Sequence, residues 1–340
     1  MKLALVALLA LALGGARVAD EQRTGEISVI SSSGGTTHPL TSGPALQPSL
    51  SPDGRTLAFV SDQIRVMSRD GSGQRPVGTA NGERPQWSPN GGSLVYTAWD
   101  VSGCVPPAPK CAVTDVWTVN ADGTGARRVL GLALHPSWSP NGRRLLFRDF
   151  VGPAEQVMPA GALKLAWADG SHVRILSRRI DAQSGEFNPA AWSPDGKWVA
   201  FSATTGTGAA AKDHLFLIRP DGSQLHLLTT AGMFPAWSPN GQLVAFERES
   251  FRPYRISLWV IRRGGGRAHR VSADGECPAW SPDGARIAFL TYANPHLGVV
   301  RLDGRGRKLL SVATNCDDEY AHFPSPPVWS RDGHWIYFVG

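Results

Sequence analysis

Pro136-Ser137-Trp138-Ser139-Pro140-Asn141-Gly142-Arg143-Arg144-Leu145-Leu146-Phe147 decides the fold, because close copies of it recur along the chain. The Asp-Gly or Asn-Gly pairs of the copies begin at Asp53, Asn90, Asn141, Asp195, Asn240, Asp283 and Asp332, at intervals of 37 to 54 residues. A repeat of that length marks a modular array. Within each copy, Pro suits the second position of a type I turn and Gly supplies a positive φ after it, which predicts a tight hairpin with a glycine bulge. Four residues past each Asp or Asn stand Leu57, Leu94, Leu145, Val199, Val244, Ile287 and Ile336. Two further on stand Phe59, Tyr96, Phe147, Phe201, Phe246, Phe289 and Phe338. Period-two spacing puts each pair on one face of a strand. The residues between them are also apolar, so both faces are expected to be buried.

A second hairpin alternates with the first. Its leading strands are expected at 27–30, 64–67, 116–119, 163–167, 215–218, 258–261 and 297–300, and most run into Asp-Gly turns such as Asp122-Gly123 and Asp221-Gly222. Two hairpins per unit make four strands, the content of a propeller blade. The chain opens on a hairpin of the second kind and closes on one of the first, so its ends are expected to complete one shared blade and leave no long free edge. The reading is an all-β, seven-bladed propeller of four-stranded antiparallel blades.

Two motifs, Pro136 to Gly142 and Val116-Trp117-Thr118-Val119-Asn120-Ala121-Asp122-Gly123, resemble TolB-type (WD40-like) propeller repeats. The resemblance runs from about residue 26 to 340 and implies the propeller part only, without the α/β domain that precedes it in TolB. Similar repeats occur in tricorn-like and prolyl-oligopeptidase-type peptidases, so the resemblance implies a fold more firmly than an activity.

The chain has 340 residues with 38 Gly and 26 Pro, as many short strands and turns require. A ring of repeats grows by adding blades, so residues 20–340 are expected to form one domain and the protein to be a monomer. Met1-Lys2, the apolar run Leu3 to Leu13 and the small residues up to Ala19 read as a secretory signal over 1–19. Eleven apolar residues are too few for a membrane span. The expected location is secreted or periplasmic. An even count of 4 Cys fits an oxidising compartment, and the expected pairs are Cys104–Cys111 and Cys277–Cys316. No Cys-x-x-Cys occurs, which disfavours zinc.

In a propeller, the turns inside both hairpins fall on one face and the links between hairpins on the other. The turns here are short and uniform, whereas links such as 99–115, 149–162, 177–189 and 311–327 are long. Variable loops on a rigid frame are where binding concentrates. The linking loops also carry about twice as many acids as bases, and the turn side the reverse. The net charge of +6 thus conceals two unlike faces and does not indicate nucleic-acid binding. An acidic concavity draws cations by field focusing, so the expected partner is an envelope protein or peptide, cationic in character.

Residues leading into the innermost strands should surround the channel mouth: Glu83, His135, Glu186, Phe187, Phe234, Glu276 and His322. Asp317, Asp318 and Glu319 form an acidic run on the same face, and Trp99 is placed in a linking loop as a contact residue. Oxygen-rich sites suit calcium, but no Asp-x-Asp-x-Asp-Gly loop occurs and no cofactor is expected. No Gly-x-Ser-x-Gly elbow occurs either. A non-catalytic binding scaffold is therefore expected, the alternative being a metal-assisted hydrolase or lactonase with its site at the channel mouth. Peptide mapping of the secreted protein under non-reducing conditions tests the export reading. It should recover Cys104–Cys111 and Cys277–Cys316 cross-links from a chain whose N-terminus begins at residue 17 or 20, and free thiols would contradict it.

Overall fold

The computed structural model describes residues 25–100, 113–149, 162–178, 190–205, 212–251, 254–292, 294–313 and 325–340. These form seven antiparallel sheets of four strands each. Blades one to six take residues 46–80, 82–130, 133–177, 191–229, 233–272 and 276–312 in order. Blade seven joins Val328–Trp329 and Trp335–Val339 from the end of the chain to Ile27–Ser31 and His38–Pro39 from its beginning. Ile27 pairs with Val339 and Ser31 with Trp335, and Glu26 and Gly340 exchange two backbone hydrogen bonds at 3.0 Å. The expected seven blades and shared closing blade are both present. At every junction but that of blades three and four the first strands of successive blades contact one another closely, Val328–Trp329 meeting Leu46–Leu50 where the ring closes, and they surround the axis.

The repeated Ser-Pro-Asx-Gly segment owes its residue types to one bonded unit. In blade six, the Ser281 hydroxyl donates to Asp283 Oδ1 at 2.5 Å and accepts from the Arg286 N–H at 2.9 Å. Asp283 Oδ1 also accepts the Ala285 N–H at 3.0 Å. The same set recurs with Ser51–Asp53, Ser88–Asn90, Ser139–Asn141, Ser193–Asp195, Ser238–Asn240 and Ser330–Asp332. Only an oxygen acceptor is needed at the third position, which explains why Asp and Asn alternate there. The glycines that follow have φ between 65° and 75°, where a Cβ is disfavoured. Each of them from Gly91 to Gly333 also lies against the proline of the preceding blade's turn. The turn face is thus a ring of nested, interlocking turns, and their uniform length is a packing requirement.

The aliphatic and aromatic residues four and six past each Asx are all buried, as are the residues between them. They do not make one central core. Seven apolar clusters each fill the space between two neighbouring blades, for example Ala58, Tyr96 and Leu94 between blades one and two. The recurrent tryptophans seal these gaps. The indole N–H of Trp237 donates to Ala191 O at 3.0 Å, Trp280 to Ala236 O at 3.0 Å, and Trp329 to Ala279 O at 2.9 Å, each in the preceding blade. Trp87 does the same to Ser49 O at 3.0 Å. They are inter-blade packing, not a carbohydrate platform.

Ser281 is fully buried, so Ser281→Ala should destabilise the protein by about 1–3 kcal/mol in urea unfolding, the cost of stranding buried partners. Asp283→Asn keeps the acceptor and should be near neutral at pH 7. The Ser281 hydroxyl and the Ala285 N–H hold the Asp283 carboxyl below its ordinary range. Its contribution is therefore present above the unfolded value of about 4 and lost as pH falls through the lower folded value. The Asn variant should lack that acid-dependent loss.

Candidate functional site

Around the mouth of the channel the innermost strands carry a bulge that periodicity does not announce. Gln47, Arg84, His135, Phe234 and Cys277 each have φ between 49° and 54° although none is glycine. Each precedes a proline (Pro48, Pro85, Pro136, Pro235, Pro278), which itself disfavours helical backbone. Backbone of this kind costs roughly 1–3 kcal/mol and persists only where its surroundings enforce it. Pairing with the second strand slips at these positions, as between Glu83 and Gln86 or Glu276 and Ala279.

What enforces the conformation is a bond from the neighbouring blade. The His135 N–H donates to Thr97 Oγ1 at 3.3 Å, and Cys277 N–H to Glu247 Oε1 at 2.6 Å. Thr97 and Glu247 occupy equivalent places, seven residues past Asn90 and Asn240. Gln47 N–H finds Ser325 Oγ at 3.2 Å, and Arg84 N–H finds Gln47 Oε1 at 2.6 Å. A collar of left-handed residues thus rings the mouth, and the N–H groups of Gln47, Arg84, His135 and Cys277 are each held by the blade before it.

Of the residues expected at the mouth, Glu83, His135, Phe234 and Glu276 are among those described. They sit inside the innermost strands rather than before them, at or next to the bulge. Glu186, Phe187, Asp317, Asp318, Glu319 and His322 lie outside the described residues, as do Cys104, Cys111 and Cys316. Among the described residues no cysteine is free. Trp99 requires a correction. It belongs to the strand Ser93–Asp100, opposite Thr114, because pairing continues up to the Pro-rich stretch instead of stopping before it. Residues 247–257, which the sequence also offers as a long link, extend a hairpin instead, with Phe251 paired to Tyr254. Sequence reading missed Gln47, Arg84, Arg148 and Glu247, although x-Pro-x-Trp (Leu50 in blade one) before the Ser-Pro turns of blades one, two, three, five and six marks the collar.

Several acids of the linking side are committed to the frame. Asp115 accepts from the Leu132 N–H and pairs with Arg128 at 3.1 Å. Asp149 pairs with Lys164 at 2.5 Å and also accepts the Ala162 N–H. Asp274 is half-buried, accepts the Tyr292 N–H at 3.1 Å and lies 4.0 Å from Arg307, whereas Asp62 is exposed beside Arg65. On the turn side, Arg75 and Arg174 donate to carbonyls of the next blade's turn, so part of the basic excess is structural too.

Blade three departs from the others. Burial, then the charges of Arg84 and Arg148, hold the His135 imidazole well below its ordinary value of 6.5, so it is neutral at pH 7. Burial and the Arg84 charge bring Arg148 down to about 10. Among the described residues no group of three or more His, Cys, Asp or Glu is placed to hold a metal ion.

No family model and no curated protein matches the chain. Solved structures match it in fold. A putative TolB from Agrobacterium tumefaciens is 17% identical with a TM-score of 0.55, over 93% of this chain and 98% of that one. An oligogalacturonate lyase in complex with manganese is 17% identical with a TM-score of 0.62, over 78% of this chain and 80% of that one. A puromycin hydrolase mutant is 16% identical with a TM-score of 0.64, over 94% of this chain and 55% of that enzyme. The fold is therefore that of a TolB-type propeller, and at these identities the likeness extends no further than fold.

The neutral His135 sets a pH dependence. Below pH 6.5 the unfolded chain takes up a proton that the folded chain does not, so stability falls as pH drops below that value. His135→Gln should abolish that part of the loss between pH 6.5 and 5 in urea midpoints measured beside the wild type.

Proposed function

We propose that this protein is an exported, non-catalytic binding scaffold of the cell envelope that engages a protein or peptide partner through the face carrying the linking loops and the channel mouth. The observation that carries this reading is the inequality of the two faces. On one, seven nearly identical turns nest against each other. The other holds the links whose lengths vary, the strained collar and the long hairpin of Leu243–Phe251 and Tyr254–Arg262. The secretory pattern of the leader and the cysteine count support an oxidising, extracytoplasmic location. No helix among the described residues is long and apolar enough to cross a membrane.

Asp62, exposed on this face, favours a cationic partner, in keeping with the excess of acids over bases among the linking residues of the sequence. Affinity capture from envelope extract should recover a specific partner. The variant Asp62→Lys should weaken that capture, more so at low salt. Capture equal to wild type by the variant would contradict the electrostatic part. Metal analysis of the purified protein supplies the other arm, since a stoichiometric bound ion would favour the metal-assisted enzyme instead.

A further inference from the structure

We propose that the groove between blades four and five, at the outer edge of the ring, binds the carboxylate or phosphate group of a small-molecule ligand through Arg248, Arg267 and Arg270. The proposal does not depend on the partner reading above, and either can fail alone.

The groove holds a cavity of about 770 Å³, lined by Thr229 of blade four and by Arg248, Trp259, Arg267 and Arg270 of blade five. That is the size of a small-molecule pocket, and no Asp or Glu lines it. Strand register decides which side chains share the groove. Arg248 stands opposite Ser257, Phe246 opposite Trp259, and Trp259 opposite Arg270. Period-two alternation therefore puts Arg248, Trp259 and Arg270 on one face of blade five. It is the face turned toward blade four, where Phe246 packs against Leu215 and Leu217. His269 falls on the opposite face, and its Nε2 donates to Leu302 O of blade six at 2.9 Å.

Arg248 is held in place by both blades. Its guanidinium carbon lies 4.1 Å from the centre of the Trp259 ring. Its Nη2 donates to Thr229 Oγ1 at 3.3 Å and to Ala231 O at 3.4 Å. Among the described residues Nη1 makes no hydrogen bond. A guanidinium stacked on an aromatic ring keeps its edge for a planar acceptor, and its fork matches carboxylate and phosphate oxygens. Burial lowers the Arg248 pKa, and an anion in the groove would oppose that shift.

Blade two shows the same positions with their charge balanced from within. Trp117 and Arg128 take the places of Trp259 and Arg270, and Ala98 and Asp115 those of Arg248 and Ser257. There Arg128 pairs with Asp115 at 3.1 Å. Blade five has serine where blade two has the acid, and a second arginine where it has alanine. The Ser257 hydroxyl is engaged by the Trp259 indole N–H and by Arg248 O, so it brings no counter-charge. Among the described residues Arg248, Arg267 and Arg270 form no ion pair. The counter-charge that blade two supplies itself is left, in blade five, to a ligand.

Isothermal titration calorimetry of the full chain with sodium phosphate and with sodium malonate, against sodium chloride at matched ionic strength, tests the site. One of the two should bind saturably at a single site, and the tighter one tells phosphate from carboxylate. Arg270→Gln, at an exposed position, should keep the wild-type urea midpoint and lose about ten-fold in affinity. Ser257→Asp installs the carboxylate of blade two, which should pair with Arg270 and weaken binding at least as much. If that variant does not fold, Arg270→Gln decides alone. Arg128→Gln, the blade-two counterpart, should bind as wild type. The inference is overturned if neither anion binds beyond chloride, if Arg270→Gln or folded Ser257→Asp binds as wild type, or if Arg128→Gln loses as much as Arg270→Gln.

Discussion

The pairing of Ile27–Ser31 with Trp335–Val339 is the constraint on which the rest depends. Each apolar cluster of this molecule lies between two blades, so an unclosed ring would leave the clusters on either side of blade seven half-covered. Closure by strands from opposite ends of the chain supplies the last two contacts at once. It also fixes the radius at which the first strands meet, and hence the mouth where the collar residues stand. Nearest-neighbour stability of this kind is typical of repeat architectures, with the difference that a ring has no terminal repeat to cap.

Within that ring the division of labour between faces follows from turn chemistry. A Ser-Pro-Asx-Gly turn satisfies its own polar groups internally and offers its proline to the next glycine, so it tolerates little change in length. The links have no such obligation. Their freedom is limited only at the collar, where a side chain from one blade must meet a strained N–H of the next. Thr97 and Glu247 discharge that duty, whereas Arg148 and Ser202 do not.

Much of the fold was legible in the sequence because its signals are local. The Asx-Gly turns, the aliphatic and aromatic residues four and six positions on, and the recurrent Trp each report a requirement met within one hairpin or between adjacent ones. The strands Ile27–Ser31 and Leu163–Trp167 fell where the pattern put them. The mouth was only half legible. His135 and Phe234 were singled out for leading into the expected innermost strands, but Gln47 and Arg84 were not, since a left-handed residue before proline has no periodicity. Trp99 was misplaced because the Pro-rich segment 105–109 implied an earlier strand end than backbone pairing gives. The acidic excess was visible, but not that Asp115, Asp149 and Glu247 are spent on backbone N–H groups. Composition shows charge and only the folded chain shows its partner.

Residue-resolved amide hydrogen exchange tests the closed ring most directly, on the full chain and on a chain lacking residues 1–40. The account predicts that Ile27–Ser31 and Trp335–Val339 are protected as strongly as the central strands of blades three and four. In the truncated chain Trp335–Val339 and the facing edges of blades one and six should lose protection first. Free exchange of Ile27–Ser31 in the full chain, with Trp335–Val339 still protected, would contradict it.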